Sequence, residues 1–90
     1  MQTEPIIVYR RSWCEDSDAA VAYFDQQDIA YREVDIEEDA VASKGVEFLT
    51  GGHQITPTLV YHMQAVVFDP WQEDRFEEWW RFANAVFADA

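Results

Sequence analysis

Short β-like runs alternate with longer helical runs along this chain of 90 residues. Strands are predicted over 6–9, 31–36, 58–61 and 65–68, and helices from 12 or 13 to about 27, from about 38 to 49, and from 70 through 87. Three residues separate the last two strands, a spacing typical of an antiparallel hairpin. The order predicts an α/β fold built from one parallel βαβ unit, a hairpin and a covering helix.

Local signals define the start of the last helix. Asp69 can cap it, Pro70 suits its first position, and Gln72 follows three residues after the cap. Apolar residues at helical spacing are predicted to face the core. They are Val41, Phe48 and Leu49 in the middle helix, and Phe76, Trp79, Trp80, Ala83 and Phe87 in the last.

The chain is strongly acidic, with six Lys and Arg against eighteen Asp and Glu and a formal net charge of −12. This charge repels phosphate backbones and anionic lipid, so nucleic acid and membranes are excluded as expected partners. Hydrophobic residues at 49 % and aromatic residues at 16 % predict a packed fold, and the length suits one domain over 1–90. Solubility, adaptation to high salt and selection of basic partner proteins each account for the acidity, and the sequence leaves all three open.

The N-terminal residues do not join a basic segment to an apolar one, and no run reaches membrane-spanning length. One unpaired cysteine also argues against a secreted domain held by disulfides. We therefore expect a protein of the reducing cytoplasm.

Cys14, the only cysteine, follows a predicted strand and opens a predicted helix. There a thiol faces unpaired backbone N–H groups and the positive end of the helix dipole, which favour the nucleophilic thiolate. Ser17 stands where a dithiol redox motif carries its second cysteine, one turn along the same helix face, so its hydroxyl can donate to the sulfur. Cys14 and Ser17 are the candidate catalytic residues. Such a site forms a mixed disulfide and needs an external thiol to regenerate it.

Glu15 and Asp16 place two negative charges directly after Cys14. A nearby carboxylate raises the pKa of a thiol, so one hypothesis is a less acidic and slower cysteine tuned to a particular substrate. The alternative is that both acids stabilise the start of the helix and point to solvent.

Two segments of the chain carry a resemblance to a known family. Residues 8–14, Val-Tyr-Arg-Arg-Ser-Trp-Cys, are similar to the stretch before the active-site cysteine of glutaredoxins. Residues 49–59, Leu-Thr-Gly-Gly-His-Gln-Ile-Thr-Pro-Thr-Leu, resemble the stretch leading into the cis-proline of bacterial glutaredoxin-like proteins, particularly the mycoredoxins. The resemblance spans roughly 5–87 and implies the thioredoxin/glutaredoxin fold, with a four-stranded mixed sheet and three helices in βαβαββα order. It also implies a monothiol oxidoreductase that reduces mixed disulfides between proteins and a low-molecular-weight thiol.

The resemblance further implies five residues that bind the thiol substrate. The Thr56–Pro57 bond is expected to be cis, with the backbone of Thr56 offered beside the cysteine to a peptide-like thiol. Arg11 matches a basic residue that holds the thiolate and the carboxylate of a bound thiol, although a plain surface cation is the alternative. Trp13 either flanks the site or packs on the last helix. Asp69 either meets an amino group of the thiol or caps the last helix.

The identity of the small thiol stays open. Many glutaredoxins hold the γ-glutamyl end of glutathione with Gly-Gly and an Asp after the fourth strand, whereas this chain has Phe-Asp-Pro-Trp over 68–71. Glutathione, mycothiol and bacillithiol are therefore all candidate cosubstrates, and no tightly bound cofactor is expected. No metal is expected either, because His53, His62 and Cys14 lack a compact zinc-binding spacing.

Other functions and assembly states remain as alternatives. One is a redox-inactive binding module of thioredoxin fold, in which Cys14 is vestigial and the acidic surface selects a partner. Another is an iron–sulfur cluster carrier, which Glu15 and Asp16 disfavour by adding negative charge near an anionic cluster. We expect a monomer, with a homodimer or a partner surface as the alternative if Trp80 or Phe82 faces solvent.

Overall fold

Four strands and three helices follow one another in the predicted order in the computed structural model, which describes residues 2–68 and 70–87. The strands are β1 (Ile6–Arg10), β2 (Tyr31–Asp35), β3 (Thr58–Tyr61) and β4 (Gln64–Val67). The helices are α1 (Glu15–Gln26), α2 (Ala40–Leu49) and α3 (Glu73–Phe87).

The strands form one mixed sheet in the order β2-β1-β3-β4. β1 runs parallel to β2 and antiparallel to β3, with Val8 opposite Glu33 on one side and Leu59 on the other. β3 and β4 pair as the predicted antiparallel hairpin, and His62 in its turn has a positive φ of 54°. The predicted four-stranded mixed sheet is confirmed.

One face of the sheet packs against α1 and α3 through an aromatic core. Alternate residues of a strand point to the same face, which brings Ile6 and Val8 of β1 into this layer. Phe24 of α1 and Phe76 of α3 lie at its centre, with ring centroids 5.0 Å apart. The other buried members of the core are Ala20, Tyr23, Leu59, Tyr61, Phe68, Trp80 and Ala83. This layer holds α1 in a defined position relative to α3.

On α2, the sequence-based choice of core residues is wrong. Val41, Phe48 and Leu49 are 83 %, 87 % and 47 % exposed, and Val46 is the buried residue of this helix. Residues seven apart share one stripe of a helix, so Val41 and Phe48 turn to solvent together when Val46 faces inward.

α3 begins at Glu73, later than the predicted start at Pro70. The backbone N–H of Trp71 donates to the Asp16 carboxylate at 3.0 Å, and its indole packs among the core aromatic rings. These contacts draw the chain toward α1 before the helix can start. Asp69, the predicted cap, lies outside the described residues.

The two aromatic residues considered for an interaction surface of α3 differ in exposure. Trp80 is a core residue at 9 % exposure, whereas Phe82 is 60 % exposed. Phe82 therefore faces solvent and keeps the alternative of a homodimer or partner surface open, whereas Trp80 does not.

Candidate functional site

Cys14 lies between β1 and α1, as the residue just before the first helical one. Its φ of −92° and ψ of 110° are extended, and its carbonyl accepts a hydrogen bond from the Asp18 N–H at 3.0 Å. The thiol is free and half-buried, and in its neutral form it makes no capping hydrogen bond to a helix N–H group. It borders a shallow open cavity of ≈ 410 Å³.

Thr56 makes two contacts with the Cys14 sulfur. The thiol donates toward the Thr56 carbonyl at 3.6 Å, and the Thr56 hydroxyl donates to Sγ at 3.1 Å. The Thr56–Pro57 bond is cis, as predicted. The prediction assigned Thr56 a role through its backbone alone, and thus missed the hydroxyl contact.

Hydrogen-bond donors outweigh burial in setting the acidity of Cys14. Burial by itself raises the pKa of the thiol, but donors from the Ser17 side chain, the Thr56 side chain and the backbone N–H groups of Ser17 and Asp16 leave the pKa lowered. The Ser17 hydroxyl is buried and has no hydrogen-bond partner among the described groups. It is therefore available to the sulfur as the thiolate forms. The hypothesis of a thiol made less acidic by Glu15 and Asp16 is wrong in direction.

The two acids after Cys14 take different positions. Glu15 is exposed, in line with a role in helix initiation. Asp16 is half-buried, and its carboxylate accepts the hydrogen bond from Trp71 N–H. The interpretation that both acids point to solvent is therefore wrong for Asp16. That bond ties the start of α1 to the segment before α3, and it directs the carboxylate toward that segment.

Arg10, the last residue of β1, and Arg11, the first residue after it, face different environments. Arg10 is buried and donates to the carboxylates of Asp18 and Glu33. Arg11 lines the cavity beside Cys14, where its Nη1 and Nη2 donate to the backbone and side-chain oxygens of Gln54 at 2.8 and 2.7 Å. The guanidinium that reaches the site is thus already engaged within the protein.

Trp13 stands in solvent beside the thiol and does not pack on α3. Its side chain is 67 % exposed, and its indole N–H donates to the Glu37 carboxylate at 2.7 Å. The Arg11 guanidinium carbon lies 5.4 Å from the centre of its ring, and Glu37 also lies 3.7 Å from Arg11 Nε. Together Arg11, Trp13 and Glu37 hold one wall of the cavity in place.

Four predicted site residues line this one cavity: Arg11, Trp13, Cys14 and Thr56. Pro57, directly after Thr56, and Ser17, three residues after Cys14, are buried, and Asp69 is outside the described residues. Sequence reasoning missed Gln54 and Glu37. A signal existed for Glu37, because the acidic end of β2 runs parallel to β1 and must lie at the same sheet edge as the cysteine loop.

Within residues 2–68 and 70–87, no group of three or more His, Cys, Asp and Glu residues could hold a metal ion. The same part of the chain contains no helix long and apolar enough to cross a membrane.

A model of the glutaredoxin family matches residues 6–66, which is well over half of the chain. The chain belongs to the glutaredoxin family. Membership assigns this glutaredoxin a thiol–disulfide redox function, with a glutathione-like thiol as the general cosubstrate of the family.

Two solved structures are similar to this glutaredoxin. The crystal structure of a mutant of the thioredoxin-like protein BC3987 has a TM-score of 0.72 and 22 % identity, covering 88 % of this chain and 97 % of that one. The structure of BC3987 itself has a TM-score of 0.69 and 23 % identity, covering 81 % and 96 % of the two chains. These similarities establish a thioredoxin-like fold. The search of curated proteins found no match.

Proposed function

We propose that this glutaredoxin is a monothiol oxidoreductase that reduces mixed disulfides between proteins and a low-molecular-weight thiol. The observation that carries the proposal is the setting of Cys14. Its thiol pKa is lowered by donors from Ser17, Thr56 and the start of α1, and Ser17 occupies the position of a second thiol. An acidic lone thiol can attack a disulfide but has no neighbour to resolve the product.

The reaction proceeds in two exchanges that conserve electrons. The Cys14 thiolate attacks the small-thiol sulfur of the mixed disulfide, that S–S bond breaks, and the protein thiolate leaves and takes up a proton. A second, deprotonated small-thiol molecule then attacks the disulfide on Cys14, which releases the thiolate and an oxidised small-thiol dimer. The two small-thiol molecules supply the two electrons that reduce the protein. Ser17 and Thr56 stabilise the thiolate at the start and end of this cycle.

Binding of the small thiol is assigned to the wall formed by Arg11 and Trp13, to the Thr56–Pro57 segment and to Asp69. One hydrogen bond within the protein disfavours tight binding of a small thiol that carries a carboxylate. The Trp71 N–H, a donor near the start of α3, is occupied by Asp16, which itself lines the Cys14 cavity. A substrate carboxylate that reached this donor would compete with Asp16 for it. No contact among the described residues of the site selects one small thiol, so glutathione, mycothiol and bacillithiol stay as three candidates, and a mycoredoxin-like subtype stays a proposal.

The test is intact-mass analysis of the reduced protein after mixing with the disulfide forms of these three thiols, then with excess reduced thiol. Cys14→Ser is the matched control. A rapid adduct that needs Cys14 and is removed by the reduced thiol supports the proposal and names the cosubstrate. Sluggish labelling by all three would replace it with a redox-inactive binding module.

We further propose that the protein acts as a monomer in the reducing cytoplasm. The net charge of −12 opposes close approach of two copies, while the exposed Phe82 favours the dimeric alternative. Sedimentation at high protein concentration and physiological ionic strength decides between them.

A further inference from the structure

The cavity beside Cys14 has an acidic border. Glu15 and Asp16 line it, and Glu37 stands behind Trp13 with a side chain that is 45 % exposed. Asp16 accepts from a backbone N–H, and one oxygen of Glu37 accepts from Trp13 and lies 3.7 Å from Arg11 Nε, so Glu15 and the second oxygen of Glu37 remain for an approaching substrate. A positively charged group is favoured at this border and a negatively charged one is repelled.

The cation lining the cavity offsets only part of the negative charge of Glu15, Asp16 and Glu37. The Arg11 side chain is only 18 % exposed, its two terminal nitrogens donate to Gln54, and Nε lies 3.7 Å from the Glu37 carboxylate. A substrate anion would have to displace these partners to gain the guanidinium. Arg10, one residue earlier, is buried with two carboxylates of its own.

Trp13 adds a surface suited to a cation. Its ring is 67 % exposed and is fixed by the indole hydrogen bond to Glu37, so it does not have to be ordered on binding. The Arg11 guanidinium carbon already lies 5.4 Å from the ring centre, so a substrate Lys or Arg uses the part of the ring that stays exposed, where it gains a cation–π contact and meets the Glu37 carboxylate at the ring edge.

We propose that the border formed by Glu15, Trp13 and Glu37 selects protein substrates that carry Lys or Arg beside the cysteine of the mixed disulfide. The inference rests on the proposed function, since the substrate is the protein half of the disulfide that Cys14 attacks. The net charge of −12 extends the same preference to long range by steering basic partners toward the molecule.

Three short peptides with one cysteine flanked by Lys, Ser or Glu test the proposal. Each is joined by a disulfide to β-mercaptoethanol, an uncharged thiol, so that flanking charge is the variable. Release of the peptide thiol is followed in a single turnover with excess protein. The expected order is Lys, then Ser, then Glu, with at least about a tenfold span at low salt that narrows as salt screens the charges.

The outcomes separate the two proposals. If no peptide is released, Cys14 is inert and the proposed function fails. If all three are released at equal rates, or the Glu peptide is fastest, the proposed function stands and the acidic border does not select substrates.

Two double variants test whether the preference for the Lys peptide comes from the acidic border or from the net charge. In Glu15→Gln with Glu37→Gln, the ratio of Lys-peptide to Glu-peptide rates should fall, while the amide oxygen introduced by the second substitution can still accept from Trp13. Glu78→Gln with Glu73→Gln makes the same change in net charge on α3, outside the residues that line the Cys14 cavity, and should keep most of the ratio. An equal fall in both pairs would assign the preference to net charge and overturn the role of the border.

Discussion

Arg10 and its two acidic partners differ sharply in their access to water. The Arg10 side chain is 11 % exposed, whereas those of Asp18 and Glu33 are 64 % and 44 % exposed. Its guanidinium donates to both carboxylates, the pair with Glu33 being 3.0 Å long, and its Nε donates to the Arg11 carbonyl at 3.2 Å. Burial opposes the charge, but the carboxylates leave the pKa of Arg10 raised. The group thus braces the loop that carries Cys14.

This asymmetry predicts that removing the cation is less damaging than removing both anions. Arg10→Met keeps an unbranched apolar stem and leaves two carboxylates that water can solvate, so unfolding free energy should fall by about 1 kcal/mol or less. Asp18→Ala with Glu33→Ala leaves a buried guanidinium without an anion, which should cost about 3 kcal/mol. For a domain of this size the difference corresponds to a melting temperature roughly 8–16 °C lower in the double variant.

Urea denaturation followed by tryptophan fluorescence measures these free energies, with the slope of the transition checked for each variant. Glu73→Ala with Glu78→Ala serves as control, because it removes the same number of charges from exposed positions of α3. Equal or greater destabilisation by Arg10→Met than by the double variant would refute the argument that stranding the buried charge dominates. The result is independent of whether Cys14 is catalytic.

Three further predictions follow from the same contacts. Ser17→Ala should raise the pKa of the Cys14 thiol, which a thiolate absorbance titration measures, and an unchanged pKa would remove Ser17 as a donor. Phe76→Ala should lower unfolding free energy by about 3–5 kcal/mol by opening a cavity among the core rings, whereas Phe48→Ser, at an 87 % exposed site, should change it by no more than about 0.5 kcal/mol in chemical denaturation. Burial, followed by the hydrogen bond to Glu77, raises the pKa of Tyr23 from 10.0 to about 12. The stability that this shift adds is complete below pH 10 and is lost as pH rises toward 12. Tyr23→Phe should therefore make the decline in melting temperature over that pH range less steep.

Local patterns were sufficient to predict the elements that have a strong period or a strong turn signal. β1 and β3 read as strands because their apolar residues are contiguous and bounded by polar ones, and their observed limits differ from the predicted ones by one residue or none. The position of Cys14 at a strand-to-helix junction is equally local. By contrast, α2 has apolar residues on more than one stripe, and sequence alone cannot state which stripe a helix turns to its sheet.

The candidate site likewise has a part that follows from local sequence and a part that depends on the tertiary structure. Its chemistry, a lone thiol before a helix with Ser17 one turn away and Thr-Pro ahead of a strand, is written in neighbouring residues, and the sequence alone determined it. What surrounds the thiol was decided by tertiary structure, because Thr56, Gln54 and Glu37 come from segments that meet Cys14 only when the sheet forms. Asp16 illustrates this dependence. A free carboxylate near the sulfur would raise the pKa of the thiol, but in the folded protein the Asp16 carboxylate accepts a hydrogen bond from the Trp71 N–H. Electrostatic effects depend on distance and on partners, and both are set by the packing of remote segments.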